Sequence, residues 1–128
     1  MDASKQTEAW TAKATDKSEA ALIIGRFDMS IHPMLQGVQA AWTNKKSDFS
    51  YELAGQDLIT YYKAINNVPD YPIRIEMDSL PPKQFHTDFF FPEGCLFAYT
   101  TEPIPIQSAQ IFKRFASVFG QTYRRYLD

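Results

Sequence analysis

Cysteine and glycine are scarce in this 128-residue chain, and several classes of binding motif are missing with them. Cys95 is the only cysteine, which excludes an internal disulfide and a CxxC motif for zinc binding or redox exchange. The five glycines are scattered, so neither a P-loop nor a GxGxxG phosphate-binding motif can be assembled from them. Because Cys95 lies within an apolar run, we interpret it as a small buried hydrophobe rather than a reactive thiol.

The chain also has no large excess of charge of either sign and no long run of apolar residues. Thirteen basic and fifteen acidic side chains give a net charge of -2, whereas nucleic-acid binders usually carry a basic excess on one face. No stretch approaches the roughly 18 apolar residues that a membrane span needs. The segment Met1–Thr7 is polar and does not resemble a secretion signal. We therefore expect a cytoplasmic protein that binds neither nucleic acid nor membrane.

What the chain does contain is enough apolar material for one folded unit. Its residues are 45% hydrophobic and 15% aromatic, a composition typical of globular rather than disordered proteins. A chain of this length suits one domain, which we assign to residues 1–128.

Hydrophobic periodicity predicts nine secondary-structure elements. These are strands over 8–14 and 22–29, a helix from Pro33 that ends at 44–46, a strand over 49–53, a helix from Gly55, a strand over 73–78, a hairpin of two strands over 85–101, and a helix over about 105–127. Hairpins dominate and parallel βαβ alternation is absent, which favours an α+β fold with an antiparallel sheet. The clearest hairpin signal is the turn Pro92-Glu93-Gly94 between two aromatic runs.

The last predicted helix is apolar on more than one side. A helix that only covers a sheet needs a single apolar stripe. We therefore predict that this helix has two partners, its own sheet and a second copy of the chain. The residues predicted to form the dimer contact are Phe112, Phe119, Tyr123 and Tyr126.

Residues 111–128, IFKRFASVFGQTYRRYLD, resemble a segment that closes the N-terminal GAF-like sensor region of multidomain bacterial signalling proteins. Residues 86–103, HTDFFFPEGCLFAYTTEP, are similar to the aromatic strand, short turn, apolar strand and Glu-Pro of that family. Looser similarity at 8–11 and 40–62 extends the resemblance over most of the chain. In this family a coiled-coil linker follows, leading to a histidine kinase, a serine phosphatase or a transcriptional output domain.

The resemblance implies a fold and a role. The expected fold is a central antiparallel sheet of about five to six strands, with helices on both faces and a long C-terminal helix. The expected role is that of a regulatory input domain of a two-component or related signalling protein. The family implies no catalytic residues, and we predict that the chain is not an enzyme.

The candidate ligand site is one face of the predicted strand at 85–91. His86 and Asp88 lie one pleat apart on the same face, together with Phe90. In GAF-like domains one sheet face covers a small-molecule pocket, which the resemblance places on this side, with Trp42 and Tyr62 as walls. We predict no metal, because no third ligand can be recognised, and the sequence does not identify a cofactor. Solvated or structurally hydrogen-bonded roles for the pair, and a plain core role for the aromatic residues, remain alternatives.

Two other functions are compatible with the same residues. The chain could be a small enzyme or a ligand carrier with a pocket around His86 and Asp88. Alternatively, it could be a dimerisation scaffold that binds no ligand.

Overall fold

The computed structural model describes residues 6–14, 20–71 and 74–128. Within these ranges the chain forms five strands and three α-helices. They are β1 (Gln6–Ala14), β2 (Ala20–Asp28), α1 (Pro33–Thr43), β3 (Asp48–Ala54), α2 (Gly55–Asn66), β4 (Lys83–Phe91), β5 (Gly94–Thr100) and α3 (Ile106–Leu127). Short 3-10 helices cover Met29–Ile31 and Met77–Ser79.

The N-terminal hairpin is formed by β1 and β2 as the alternation predicts. The two strands pair antiparallel from Gln6 opposite Asp28 to Ala14 opposite Ala20, and they make a sheet of their own. The backbone N–H of Arg26 donates to the carbonyl of Asp70 at 3.0 Å, which joins β2 to the loop after α2.

The central sheet has the strand order β3-β4-β5, with both pairs antiparallel. The predicted hairpin at 85–101 is confirmed, because Phe91 of β4 lies opposite Gly94 of β5 across the predicted turn. The expectation of a five- to six-stranded sheet is wrong for the described residues, since this sheet has three strands and β1 and β2 do not join it. The coarser α+β assignment, with a long C-terminal helix, is confirmed.

The strand predicted over 73–78 is also wrong in its described part. Residues 72 and 73 lie outside the described residues, 74–76 have no strand pairing, and Met77–Ser79 is a 3-10 helix. The side-chain amide of Asn66 accepts a hydrogen bond from the Ile75 N–H at 2.8 Å and donates to the Ile75 carbonyl at 3.0 Å. Because a side chain satisfies both backbone groups of Ile75, that residue makes no sheet pairing through them.

Helices cover both faces of the central sheet, as expected. Along β4, Phe89 and Phe91 face α3, where they contact Phe112 and Phe119 with ring centroids 5.4 Å apart in each pair. Two ion pairs tie the polar flank of α3 to the rest of the chain. They join Lys113 to Asp48 at 2.9 Å and Arg124 to Glu93 at 3.0 Å.

The hydrophobic core lies on the other face, between the sheet, α1 and α2. Its buried members on these two helices and β3 are Met34, Leu35, Val38, Leu53, Leu58, Tyr61, Tyr62 and Ile65. Pro33 is the first residue of α1, where a missing N–H costs nothing, so the predicted helix start is confirmed. Among the described helices none is both long enough and apolar enough to cross a membrane.

Candidate functional site

His86 and Asp88 form a buried polar pair on the face of β4 that looks toward α1 and α2. His86 Nε2 lies 2.7 Å from Asp88 Oδ2, and the two side chains are 4% and 2% exposed. The two groups are close but not aligned for a hydrogen bond, and neither ring nitrogen of His86 has a hydrogen-bond partner in the described part of the chain. The sequence therefore placed the pair on one face correctly, and the structure adds that the pair is enclosed.

Aromatic and sulfur groups of β5 surround this pair. The His86 ring stacks on Phe97 with centroids 6.0 Å apart and contacts the Tyr99 ring at 4.7 Å. The thiol of Cys95 donates to Asp88 Oδ1 at 3.5 Å. Burial, together with the nearby Asp88 carboxylate, raises the pKa of the Cys95 thiol well above its ordinary value. A protonated, half-buried thiol is a poor nucleophile, which agrees with a packing role for Cys95.

Three tyrosine hydroxyls lie near the pair and bond within the interior. Tyr61 and Tyr99 are hydrogen-bonded hydroxyl to hydroxyl, and the Tyr62 hydroxyl donates to Gln84. Burial raises the pKa of Tyr62 to about 12, although its bond to Gln84 acts in the opposite direction. Burial likewise raises the pKa of Tyr61 and of Tyr99. The neutral phenols are thus the forms that the fold stabilises.

The remaining predicted wall residues make packing and hydrogen-bonding contacts of their own. Trp42 lies at the end of α1, and its indole N–H donates to the carbonyl of Pro92 in the β4–β5 turn at 3.1 Å. Tyr62 is a buried core residue, and Phe90 is half-buried against the same core. The five predicted residues therefore lie on one side of the sheet but act there as packing and hydrogen-bonding groups.

A second buried histidine, His32, was not predicted to have a role. Its Nδ1 accepts the Met34 N–H at 3.0 Å and so caps the N-terminus of α1. Since Nδ1 is an acceptor, Nε2 carries the proton and donates to Asp57 Oδ1 at 2.8 Å. Asp57 Oδ2 accepts from the Tyr51 hydroxyl at 2.7 Å. The network joins α1, α2 and β3, and the occupied Nδ1 leaves His32 unable to act as a base from that side.

The outer surface of α3 is apolar along one stripe. Phe112 and Phe119, two of the predicted dimer residues, pack one ring face on the sheet, and Tyr123 is stacked on Phe119 with centroids 6.5 Å apart. The helix has further exposed apolar side chains. They are Ile106, Ile111, Phe115, Val118, Tyr126 and Leu127. The dimer residues that the sequence predicts, Phe112, Phe119, Tyr123 and Tyr126, are 37%, 47%, 36% and 80% exposed.

A cleft of about 160 Å³ opens on the α3 side of the sheet. Its lining comes from β3, β4 and the segment that leads into α3. No pattern in the sequence indicates this cleft, because Ser50, Thr87 and Ile104 come together only through strand pairing and helix docking.

No group of three or more histidine, cysteine, aspartate or glutamate side chains suited to a metal ion occurs among the described residues. The comparisons with known proteins found no matching family model, no curated protein and no solved structure that resembles this chain.

Proposed function

We propose that this chain is a non-catalytic regulatory input domain of a bacterial signalling protein, which acts as a homodimer and signals through α3. The observation that supports the proposal best is the exposed apolar stripe on that helix. The resemblance of residues 111–128 to the end of GAF-like sensor regions supports it independently. The proposal assigns no catalytic residue and does not depend on the identity of the output domain.

The spacing of the stripe is that of a helix-pairing surface. Ile111, Phe115 and Val118 are 46%, 59% and 59% exposed, and they follow one another at intervals of four and three residues. Alternating steps of four and three are the seam of a coiled coil, in which two helices bury matching apolar side chains. The exposed side of α3 next to the stripe is polar. It carries Gln110, Arg114, Ser117 and Gln121.

The energy available from this stripe favours a weak dimer. Three half-exposed apolar side chains from each copy, at about 1 kcal/mol each, would contribute about 6 kcal/mol. Association costs at least about 4 kcal/mol in lost translational and rotational freedom. We therefore expect dimerisation of this chain to depend on concentration, and to strengthen when a helical linker prolongs the seam.

Replacing Phe115 with glutamate tests this surface. A charge at the centre of the seam would oppose its own copy in the dimer, so Phe115→Glu should be monomeric at concentrations where the wild type associates. Sedimentation equilibrium over a wide concentration range measures the effect. Ser117→Glu, which adds the same charge at an exposed position of the same helix that lies away from the seam, is the matched control and should associate like the wild type.

Cysteine cross-linking tests the parallel arrangement. In a parallel dimer each seam residue faces its own copy, so Val118→Cys should form an intermolecular disulfide under mild oxidation, while Gln121→Cys should not. A wild-type chain that stays monomeric throughout, or equal cross-linking at both positions, would contradict the dimer.

The enzyme and carrier hypotheses have less support. Both place their chemistry at His86 and Asp88, whose side chains are almost fully enclosed, so a substrate could reach them only if the core opened. The scaffold hypothesis shares the dimer with our proposal and differs from it only in having no ligand.

A further inference from the structure

The cleft beside α3 lies on the opposite face of the sheet from His86 and Asp88. Thr87 and Ser50 are direct partners across β3 and β4, and Asp48 lies opposite Phe89 in the same register. Alternation along the strands therefore brings these four side chains to one face. The segment that leads into α3, with Pro103 and Ile104, and the first turns of the helix complete the lining.

The polar side of the cleft carries two hydroxyl groups. Thr87 is only 6% exposed and belongs to the lining of the cleft. The hydroxyl of Ser50 is its neighbour across the strand pair. The carboxylate of Asp48 also lines the cleft, where the ammonium group of Lys113 lies 2.9 Å from it. Because that ion pair is already matched in charge, the cleft favours an uncharged polar group over an ionised one.

The apolar side is suited to a small ring. Phe85, Phe89, Ile104 and Ala109 line it, and a buried cavity of about 150 Å³ is known to hold one benzene molecule. The cleft volume of about 160 Å³ is of the same order, so it suits a single ring rather than a nucleotide or a multi-ring cofactor.

We propose that this cleft binds a small uncharged monocyclic alcohol or phenol. The ring would lie against Phe85, Phe89 and Ile104. The hydroxyl of the ligand would accept a hydrogen bond from Thr87 and donate one to Asp48 or Ser50. Such a site is distinct from the face that the sequence suggested, since it lies beneath α3 rather than beneath α1 and α2.

The regulatory meaning of the site rests on the proposed function, whereas binding itself does not. Ala109 belongs to α3, and Ile104 lies two residues before the first residue of that helix. An occupant would therefore touch the start of the helix that we propose as the transmitter. A ligand at this point would therefore act directly on the position of α3.

Phenol is the probe for the experiment, with toluene as its counterpart that lacks the hydroxyl. Titration of the isotope-labelled chain with phenol, followed by amide chemical shifts, should show saturable changes at Ser50, Thr87 and Ala109, with weak affinity typical of a ligand this small. Toluene should bind more weakly. Thr87→Val keeps the shape of the side chain but removes its hydroxyl, and should weaken phenol binding roughly three- to tenfold.

A second pair of variants tests the location. Ala109→Leu fills the cleft and should abolish the shifts, whereas Ser117→Leu adds the same side chain on the polar side of α3 and should leave them intact. Absence of saturable shifts in the wild type, or phenol binding that Ala109→Leu does not change, would overturn the site. If the chain binds phenol but is monomeric by sedimentation, the site is supported and the proposed function is contradicted. The two proposals can therefore fail separately.

Discussion

Tyr61, Tyr62 and Tyr99 place their hydroxyl groups in the interior rather than in solvent. Each hydroxyl has a partner there, so the cost of burying a polar group is offset by hydrogen bonding. Ionisation of these hydroxyl groups is unfavourable, because a phenolate would be poorly solvated in the same surroundings. Burial therefore couples the protonation of the tyrosines to folding.

The buried tyrosines should lower the stability of the chain at alkaline pH. The unfolded chain releases tyrosine protons near pH 10, whereas burial raises the pKa of Tyr62 in the folded chain to about 12. Above pH 10 the unfolded state thus binds fewer protons than the folded state, so stability falls as pH rises and is fully present only below pH 10. Thermal unfolding followed between about pH 9 and pH 12 should show this loss.

Substitution assigns the effect to the buried tyrosines. Tyr62→Phe should have a shallower decline in melting temperature over that range, although the loss of its bond to Gln84 lowers the starting value. Tyr126→Phe, at a side chain that is 80% exposed, should follow the wild-type slope. Equal slopes in all three proteins would show that Tyr62 does not titrate abnormally.

At the scale of single elements, the end of α1 departs from the usual residue choice. The Lys46 N–H donates to the Ala41 carbonyl and the Lys45 N–H to the Trp42 carbonyl, both at 3.0 Å, which is the Schellman pattern of helix termination. Lys45 has a φ of 57°, a left-handed conformation that glycine usually adopts at this position of a helix terminus. A side chain with a Cβ atom is strained there.

We predict that Lys45→Gly stabilises the chain. Removing the Cβ atom relieves about 1 kcal/mol of left-handed strain, which corresponds to a rise in melting temperature of about 4 °C. Lys46→Gly, next to it and without a positive φ, should be neutral or destabilising. A loss of stability in Lys45→Gly would contradict the strain.

The contact between α3 and the sheet depends on a residue without a side chain. A Cβ atom at Gly120 would lie 2.8 Å from the Cβ atom of Phe91, an atom that is fixed to the strand backbone. Gly120→Ala should therefore destabilise the chain by about 1–3 kcal/mol, in spite of the roughly 1 kcal/mol that alanine gains over glycine inside a helix. Denaturant unfolding measures the change. Ser117→Ala on the exposed side of α3 should be neutral or stabilising, and a Gly120→Ala chain of wild-type stability would show that α3 packs less closely.

The elements that the sequence predicted well are those whose signals are local. The Pro92-Glu93-Gly94 turn and Pro33 at the start of α1 act within a few residues, and both were located correctly. The alternation at Ile73, Ile75 and Met77 looked equally local. It failed because the Asn66 amide, nine residues before Ile75, satisfies the backbone of Ile75, and periodicity contains no information about such a partner.

At the scale of the whole molecule, the local features of the candidate site were likewise predicted, whereas those that depend on distant segments were missed. The shared face of His86 and Asp88 followed from strand alternation, but the enclosure of the pair depends on Phe97, Tyr99 and α2, which the sequence could not arrange in space. The cleft near Thr87 was missed because its two walls come from segments about fifty residues apart at Ser50 and Ile104. The two faces of the sheet thus differ, with a packed core on one side and a recess beside α3 on the other.

The close contact between Gly120 and Phe91 also provides a point about which α3 could pivot on the sheet. A 22-residue helix behaves as a rigid rod, with its start about 21 Å and its end about 10 Å from Gly120 along the axis. Pressure on the first turn would tilt this rod about that point, and we expect the last turn to swing in the opposite direction with about half the amplitude. In the proposed dimer, a small ligand under the start of each helix would change the separation of the two helix ends, so α3 would act as a lever.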